Sequence, residues 1–317
     1  MNTIKNFTGR RNWLVVIGAL CVTNPALAIP IMGSDLASFT VLGASTVTNV
    51  PTSTIVGNVG VWSSGGANAV TGFNSSPGVG VSDLQVTGGS VYAGGALAQS
   101  AQGQLTTARN NLSSLGVGTT LGADLGGLTL TPGVYSVAAG TTNLSGLLTL
   151  DGGGNANAAW IFQMSSTLIT SPDSIVNLIN TGSGAGVYWN VGSSATIDVN
   201  TTFMGNILAL ASITFNTSST DFCGRALAET GAVTLDQNSL SGDCLDSLAG
   251  SAGLSGGLDI TSTPDGGGRD EVSFLPFVAV NDDRTNVPEP FTLALMGMGL
   301  VGLGVSRRRQ AKVKVRN

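Results

Sequence analysis

Thr129-Leu130, Thr149-Leu150, Thr167-Leu168, Thr196-Ile197, Thr214-Phe215 and Thr234-Leu235 are six copies of one phrase, a threonine followed by a large apolar residue, within residues 125–240. All but one of the threonine-to-threonine steps are close to equal, and the step from Thr167 to Thr196 is longer. A recurrence of about 20 residues marks a solenoid, in which each repeat is one coil that buries its apolar face only by stacking on its neighbours. Most copies are led in by an apolar or small residue: Leu128, Leu148, Ala195, Ile213 or Val233. Side chains alternate across a strand, so this in–out–in pattern turns the flanking residues to the core and the threonine away from it. Stacked coils would line the six threonines up as a ladder on an outer face. The longer step, from Thr167 to Thr196, holds two further strand-like runs, 174–180 and 186–191, and reads as a coil with an insertion.

Composition agrees with a turn-rich β protein. Charged residues are 10% of the 317, and glycine supplies 46 positions. A disordered chain would be charged and poor in Val, Ile and Leu. All 18 acidic residues lie between Asp35 and Glu289, where the only basic residues are Arg109, Arg225, Arg269 and Arg284. That span is near −14 (4 minus 18), and both ends are basic. Such a body has no cationic surface with which to release counterions from phosphates, which argues against nucleic acid as a partner. The chain has no histidine, so the usual general base and the commonest metal ligand are missing.

Outward from the repeats, residues 1–28 read as a secretory signal. Lys5, Arg10 and Arg11 form a positive n-region, 13–22 an apolar core, and Ala26-Leu27-Ala28 a small-x-small cleavage site. Residues 29–90 alternate apolar residues with Ser, Thr and Gly, and read as short strands with tight turns. From about 92 to 115 the pattern changes. Leu97, Ala101, Leu105, Ala108 and Leu112 recur at steps of three and four, with Gln99, Gln102, Thr106 and Asn110 off that stripe. The spacing predicts one long helix packed along the solenoid. The β-solenoid domain is placed at 29–245. Residues 246–286, rich in Gly, Ser and Asp, read as a linker, with an apolar stretch at 274–280 as a last strand or docking segment. Cys223 and Cys244 are expected to form a disulfide once exported, closing a loop of about 20 residues.

The C-terminal region is a compound signal. Pro288-Glu289-Pro290 is followed by an apolar run over 291–305 and by Arg307, Arg308 and Arg309, with 310–317 as a basic tail. Basic residues after the run would hold that end on the cytoplasmic side of a membrane. This grammar, at 287–309, resembles the PEP-CTERM sorting signal of Gram-negative, exopolysaccharide-producing bacteria. The resemblance implies processing by an exosortase, transient inner-membrane anchoring through the C-terminal helix, and an extracellular or cell-surface destination.

A second resemblance covers roughly 33–240. Ala37–Gly43 (ASFTVLG), Ala69–Phe73 (AVTGF), Leu125–Tyr135 (LGGLTLTPGVY), Asn157–Met164 (NAAWIFQM), Val191–Ile197 (VGSSATI), Phe203–Leu208 (FMGNIL) and Gly224–Asp236 (GRALAETGAVTLD) are similar to the microbial ice-binding-protein family. That family implies an all-β, right-handed, discontinuous β-solenoid with a long α-helix alongside. Strong binders in the family often carry Thr-Ala/Gly-x-Thr/Asn on the binding face. Here Thr71-Gly72-Phe73-Asn74 fits, Thr107-Ala108-Arg109-Asn110 fits but falls in the helix, and Thr230-Gly231-Ala232-Val233 fails at its last position.

The expected function is ice binding by a flat, hydroxyl-rich solenoid face, with an ice crystal surface as the partner. Threonine offers a hydroxyl and a methyl on a stiff, β-branched side chain, on a grid set by strand spacing. Thr129, Thr149, Thr167, Thr196, Thr214 and Thr234 are the candidate residues. The alternative is a non-catalytic adhesin or biofilm-matrix protein of the same fold, with exopolysaccharide as its partner. An enzyme is disfavoured. Asp124, Asp151, Asp173, Asp198, Asp221 and Asp236 are scattered and read as turn residues, with no nucleophile–base pair among them. No cofactor is expected, and no metal site: the two cysteines lack histidine partners and no Asp run has calcium-loop spacing.

Overall fold

The structure, a computed structural model, describes residues 29–63, 69–137, 140–245, 248–261 and 271–280. Three sheets, parallel except for the end strand Gly80–Val81 of the ten-stranded one, form the walls of a β-solenoid. The seven-stranded wall runs Thr142–Leu144, Leu168–Thr170, Ala195–Ile197, Ile213–Phe215, Val233–Asp236, Val47–Val50 and Val70–Thr71. The eight-stranded wall begins with Thr129–Leu130, Leu147–Asn155 and Ile175–Thr181 and ends with Thr54–Val56 and Val86–Thr87. The ten-stranded wall carries the long helix on its outside, with Leu42, Ile161, Leu208 and Leu227 beneath it.

The stack is discontinuous in sequence. Phe39–Gly43, at the start of the domain, pairs on one side with Asn58–Val61 and on the other with Arg225–Ala228. The chain lays down its first coils at one end. The helix Ala96–Ser114 then carries it along the wall, and the coils from Thr119–Leu121 onward stack back until the last meets the first. At 19 residues the helix is about 28 Å long, which is the width of about six strands. It starts later than the periodicity suggested, at Ala96 rather than 92, because Val91–Ala93 is still a strand of the wall.

The helix stripe behaves as read, with Ala101, Leu105, Ala108 and Leu112 fully buried. Gln102 does not. Placed off the stripe by sequence, it is buried and donates from Nε2 to the Ala228 carbonyl at 3.0 Å. Arg109 is the second fastener. It pairs with Glu229 and donates to the carbonyls of Leu208 and Val191 at 3.3 and 3.1 Å. A small-residue stripe lets the helix lie close to the wall, and these bonds tie it to particular strands.

Inside the walls, aromatic rings stack from coil to coil. Phe162 and Trp189 lie 4.1 Å apart and nearly parallel, with Tyr135 and Phe203 extending the row. The buried indoles of Trp160 and Trp189 each donate to a backbone carbonyl at 3.0 Å, Leu130 and Met204 respectively. Both indoles can be buried here because each N–H finds a backbone acceptor.

Three sequence expectations need correction. First, the long step from Thr167 to Thr196 is not an insertion of extra strands. Ile175–Thr181 and Gly186–Val191 are the ordinary eight- and ten-strand-wall members of one coil. That coil, from Leu168 to its partner Ala195, is long, as is the one before it from Thr142 to Leu168. The later coils, Ala195 to Ile213 and Ile213 to Val233, are shorter. Second, the stretch read as a linker is docked where it is described. Leu254 and Leu258 are fully buried, Leu258–Thr261 pairs with Glu271–Phe274, and Val278 and Val280 bond to the backbone of Ala156 and Gly154. Third, Asp221 is no turn residue. Its strand places it in an inward column between Phe203 and Leu240, and it is fully buried. Cys223 and Cys244 are bonded, as expected, with Cα atoms 4.5 Å apart. The signal segment 1–28 and the sorting segment 287–317 lie outside the described residues.

Candidate functional site

The seven-stranded wall is the regular one. Its strands are two to four residues long, and each contributes an outward residue at one common position. Strand pairing aligns these in a single row: Asn143, Ile169, Thr196, Thr214, Thr234, Thr48 and Thr71. Five consecutive positions are threonine. Neighbours in such a row stand about 4.8 Å apart. Beneath the row, Ala195, Ile197, Ile213, Phe215, Val233, Leu235 and Val47 are buried, so the strands rest on a packed core. β-Branched side chains on a fixed backbone have few rotamers open to them, and the row is rigid for both reasons.

Hydroxyls continue on one side of this row. Thr167 donates to Thr141 Oγ1 at 3.0 Å, and the hydroxyls of Ser194 and Ser212 accept from the backbone amides of Ser212 and Ala232 at 3.2 and 3.1 Å. On the other side stand Asp198, Asn216, Asp236 and Val50, with Asn216 Nδ2 donating to Asp198 Oδ1 at 2.8 Å. The strands and their flanks carry no Lys or Arg. The surface is thus regular, largely hydroxylated and free of lysine and arginine, with Ile169 and Val50 as its exposed apolar members.

The six threonines singled out by sequence do not form one ladder. Thr196, Thr214 and Thr234 sit side by side in the central row. Thr167 belongs to the same wall but precedes the strand Leu168–Thr170, off the central row. Thr129 and Thr149 pair with each other on the eight-stranded wall, around a corner. The near-regular spacing runs through both walls because coil length and the position of the Thr-apolar phrase within the coil change together. The eight-stranded wall is rougher. Its strands vary widely in length, and Leu147, Ile175, Ile179 and Phe222 stand exposed on it.

Sequence reasoning missed Thr48 in the row, and it marks Thr71 only through the Thr-Gly-x-Asn motif. The only signal for Thr48 is the apolar lead-in Val47, because the residue after it, Asn49, is polar in sequence though buried in the fold, and the triplet lies before the helix and outside the repeat. Gly72 has a structural reason of its own: φ is 82°, and a Cβ there would come 1.9 Å from the Asn49 carbonyl oxygen. The coil at this end of the wall closes against its neighbour only because no side chain intervenes.

Among the described residues, no three His, Cys, Asp or Glu are grouped to hold a metal ion, and no helix is long and apolar enough to cross a membrane. The surface hollows are open grooves beside the helix and loops, away from the threonine row.

This geometry agrees with what the chain is similar to. Residues 41–241 match the family model described as ice-binding-like, and 286–309 match the PEP-CTERM protein-sorting motif. An ice-binding protein of Nostoc sp. (strain HG1) is 44% identical over 220 residues, covering 69% of this chain and 76% of the relative. The solved structure of an ice-binding protein from the Antarctic ascomycete Antarctomyces psychrotrophicus is 31% identical with a TM-score of 0.58, over 68% of this chain and 98% of that one. A solved domain of the Shewanella frigidimarina ice-binding protein 1 is 29% identical with a TM-score of 0.59, over 68% and 97%. The three-walled solenoid, its long helix and the matched sequence together place the chain in the ice-binding-like family, with a PEP-CTERM sorting motif behind the family domain.

Proposed function

We propose that this protein binds ice, without catalysis, through the seven-stranded wall, and that it acts outside the cell or on its surface. The observation that carries the reading is the row Thr196, Thr214, Thr234, Thr48 and Thr71, in register on consecutive strands. Ice presents a repeating lattice rather than a molecule to be enclosed. A flat grid of hydroxyls and methyls on a rigid backbone can hold water in an ordered layer that the lattice then joins. The names of the relatives, each an ice-binding protein, support the same reading.

The sorting motif supports the rest. Exosortase would process the chain after Pro288-Glu289-Pro290 has been recognised, with the segment up to Arg307, Arg308 and Arg309 as a transient inner-membrane anchor. An extracellular polysaccharide as a further partner fits that destination. The test is thermal hysteresis and ice-recrystallisation inhibition on purified residues 29–286, beside Thr196→Tyr/Thr214→Tyr/Thr234→Tyr. Activity in the parent and its loss in the folded variant support the proposal. Activity in both removes the row, and activity in neither removes ice as the ligand.

A further inference from the structure

One side of the helix is polar throughout. Gln99, Gln102, Thr106, Arg109 and Ser113 follow one another at steps of three and four, so they share a face. That face looks into a groove between the helix and the corner where the ten- and seven-stranded walls meet. Two hollows occupy it, of about 550 and 510 Å³, each within the range of small-ligand sites.

The first hollow is lined by Trp62, Gln99, Gln102, Thr106, Glu229 and Thr230. The second takes Arg109, Ser113, Gln163 and Asn190, with hydroxyls of Thr120 and Ser136. The ion pair Arg109–Glu229 stands between them and supplies the one charged residue of each lining, so the groove is neutral as a whole. Trp62 is half-buried against the helix-side core, which leaves part of the indole as an apolar platform. Two amides are left half-satisfied. Gln102 gives its Nε2 to Ala228 O, and Asn190 gives its Nδ2 to Ser113 Oγ and Gln163 Oε1 at 3.0 and 2.9 Å. Their oxygens, Gln102 Oε1 and Asn190 Oδ1, are buried without a hydrogen-bond partner in the protein. A buried acceptor without a donor is costly and calls for one.

We propose that this groove binds a neutral polysaccharide chain running along the helix. A sugar ring has an apolar C–H face that suits an indole, and a rim of hydroxyls that both donate and accept. Amide side chains match that rim, since each offers both functions. On binding, the exposed Gln99 amide and the hydroxyls of Thr230 and Thr120 would meet ligand hydroxyls, while Gln102 keeps its bond to the wall. Two hollows in line suit a polymer better than a single sugar, and the neutral lining disfavours uronate chains. The inference rests on the polysaccharide partner proposed above, gives it a site, and uses none of the threonine row.

The test is native affinity electrophoresis of the full chain in mild detergent, through gels cast with dextran, a soluble β-1,3-glucan or mannan, and with alginate or polygalacturonate. Retardation by at least one neutral polymer is expected, with Trp62→Ala weakening it tenfold or more and Thr214→Tyr leaving it unchanged. If Trp62→Ala does not fold, Gln99→Ala on the exposed helix surface reads the same hollow and should weaken binding severalfold. No retardation by any neutral polymer overturns the proposal, as does retardation by the acidic polymers alone. Equal retardation of parent and folded groove variants overturns it too. Thermal hysteresis on the same samples reads the ice proposal separately.

Discussion

Thr48 stands in register with Thr234 on adjacent strands of the seven-stranded wall, although the long helix and most of the coils separate them in the chain. The first-made and last-made coils are neighbours, and the candidate ice row crosses the seam between them. Whatever damages the seam shortens the row from five threonines to three on one side and two on the other.

Thr48→Tyr should therefore abolish most thermal hysteresis, as Thr214→Tyr should. Both side chains stand in the central row, and a ring there lifts the ice lattice off its neighbours. Thr149→Tyr, on the eight-stranded wall, should leave activity within about twofold of the parent. Near-equal losses from Thr149→Tyr and Thr214→Tyr would place the ice face elsewhere. All three positions are outward, so changes in stability should stay within about 0.5 kcal/mol, checked by urea melts.

Ile169 is the row position next to Thr196 and is 40% exposed. Ile169→Thr should extend the threonine run by one strand and raise hysteresis activity at fixed concentration. The substitution removes little buried surface, so the melting temperature should hold. A fall in activity would mean that the apolar side chain itself contributes to the ice contact.

Arg225 ties the C-terminal segment to the solenoid. It donates to Ala37 O, Asn206 Oδ1, Ala252 O and Gly253 O at 2.8–3.1 Å from a site only 2% exposed. Arg225→Met keeps the bulk and strands those acceptors, which should cost about 3 kcal/mol. Hydrogen exchange should then quicken first in residues 248–261. Uniform quickening over the whole domain would argue against a local clamp.

Asp221 should make stability depend on pH in a direction opposite to an ordinary surface acid. Burial pushes its carboxyl well above the usual 3.8, an effect the Arg225 charge only partly offsets. A folded pKa above the unfolded one means the folded state holds the proton longer, so this residue's contribution worsens as pH rises through that window. Asp221→Asn should melt above the parent near pH 7, with the gap closing toward about pH 4. Calorimetric scans of both proteins across that range check it. A gap constant with pH would show that the amide acts through packing.

The Cys223–Cys244 bond closes the coil laid down last, which lies inside the stack against the first coils. Cys244→Ser should lower stability by about 3 kcal/mol through loop-closure entropy, with no loss of the threonine row. Paired melts with and without reductant on the parent should reproduce that drop.

Much of this protein is written locally. The Thr-apolar phrase, the in–out–in flanks and the helix stripe specify strands and one helix, because side-chain alternation and helical periodicity depend only on neighbours in sequence. The disulfide partners are legible too, as the two cysteines left outside the signal segment. What the sequence by itself could not specify was which threonines share a face. On the seven-stranded wall the coil from Leu168 to Ala195 is half as long again as the next, from Ala195 to Ile213. Equal spacing in sequence therefore does not mean equal position around the solenoid. Thr129 and Thr149 fall on another wall for that reason, and Thr48 joins the row from before the helix. Gln102 and Asp221 are misread alike, because a polar residue's burial is set by what packs over it. Strand register across the seam, the docking of 248–261 and 271–280, and the groove beside the helix are long-range pairings, and only the assembled tertiary structure decides them.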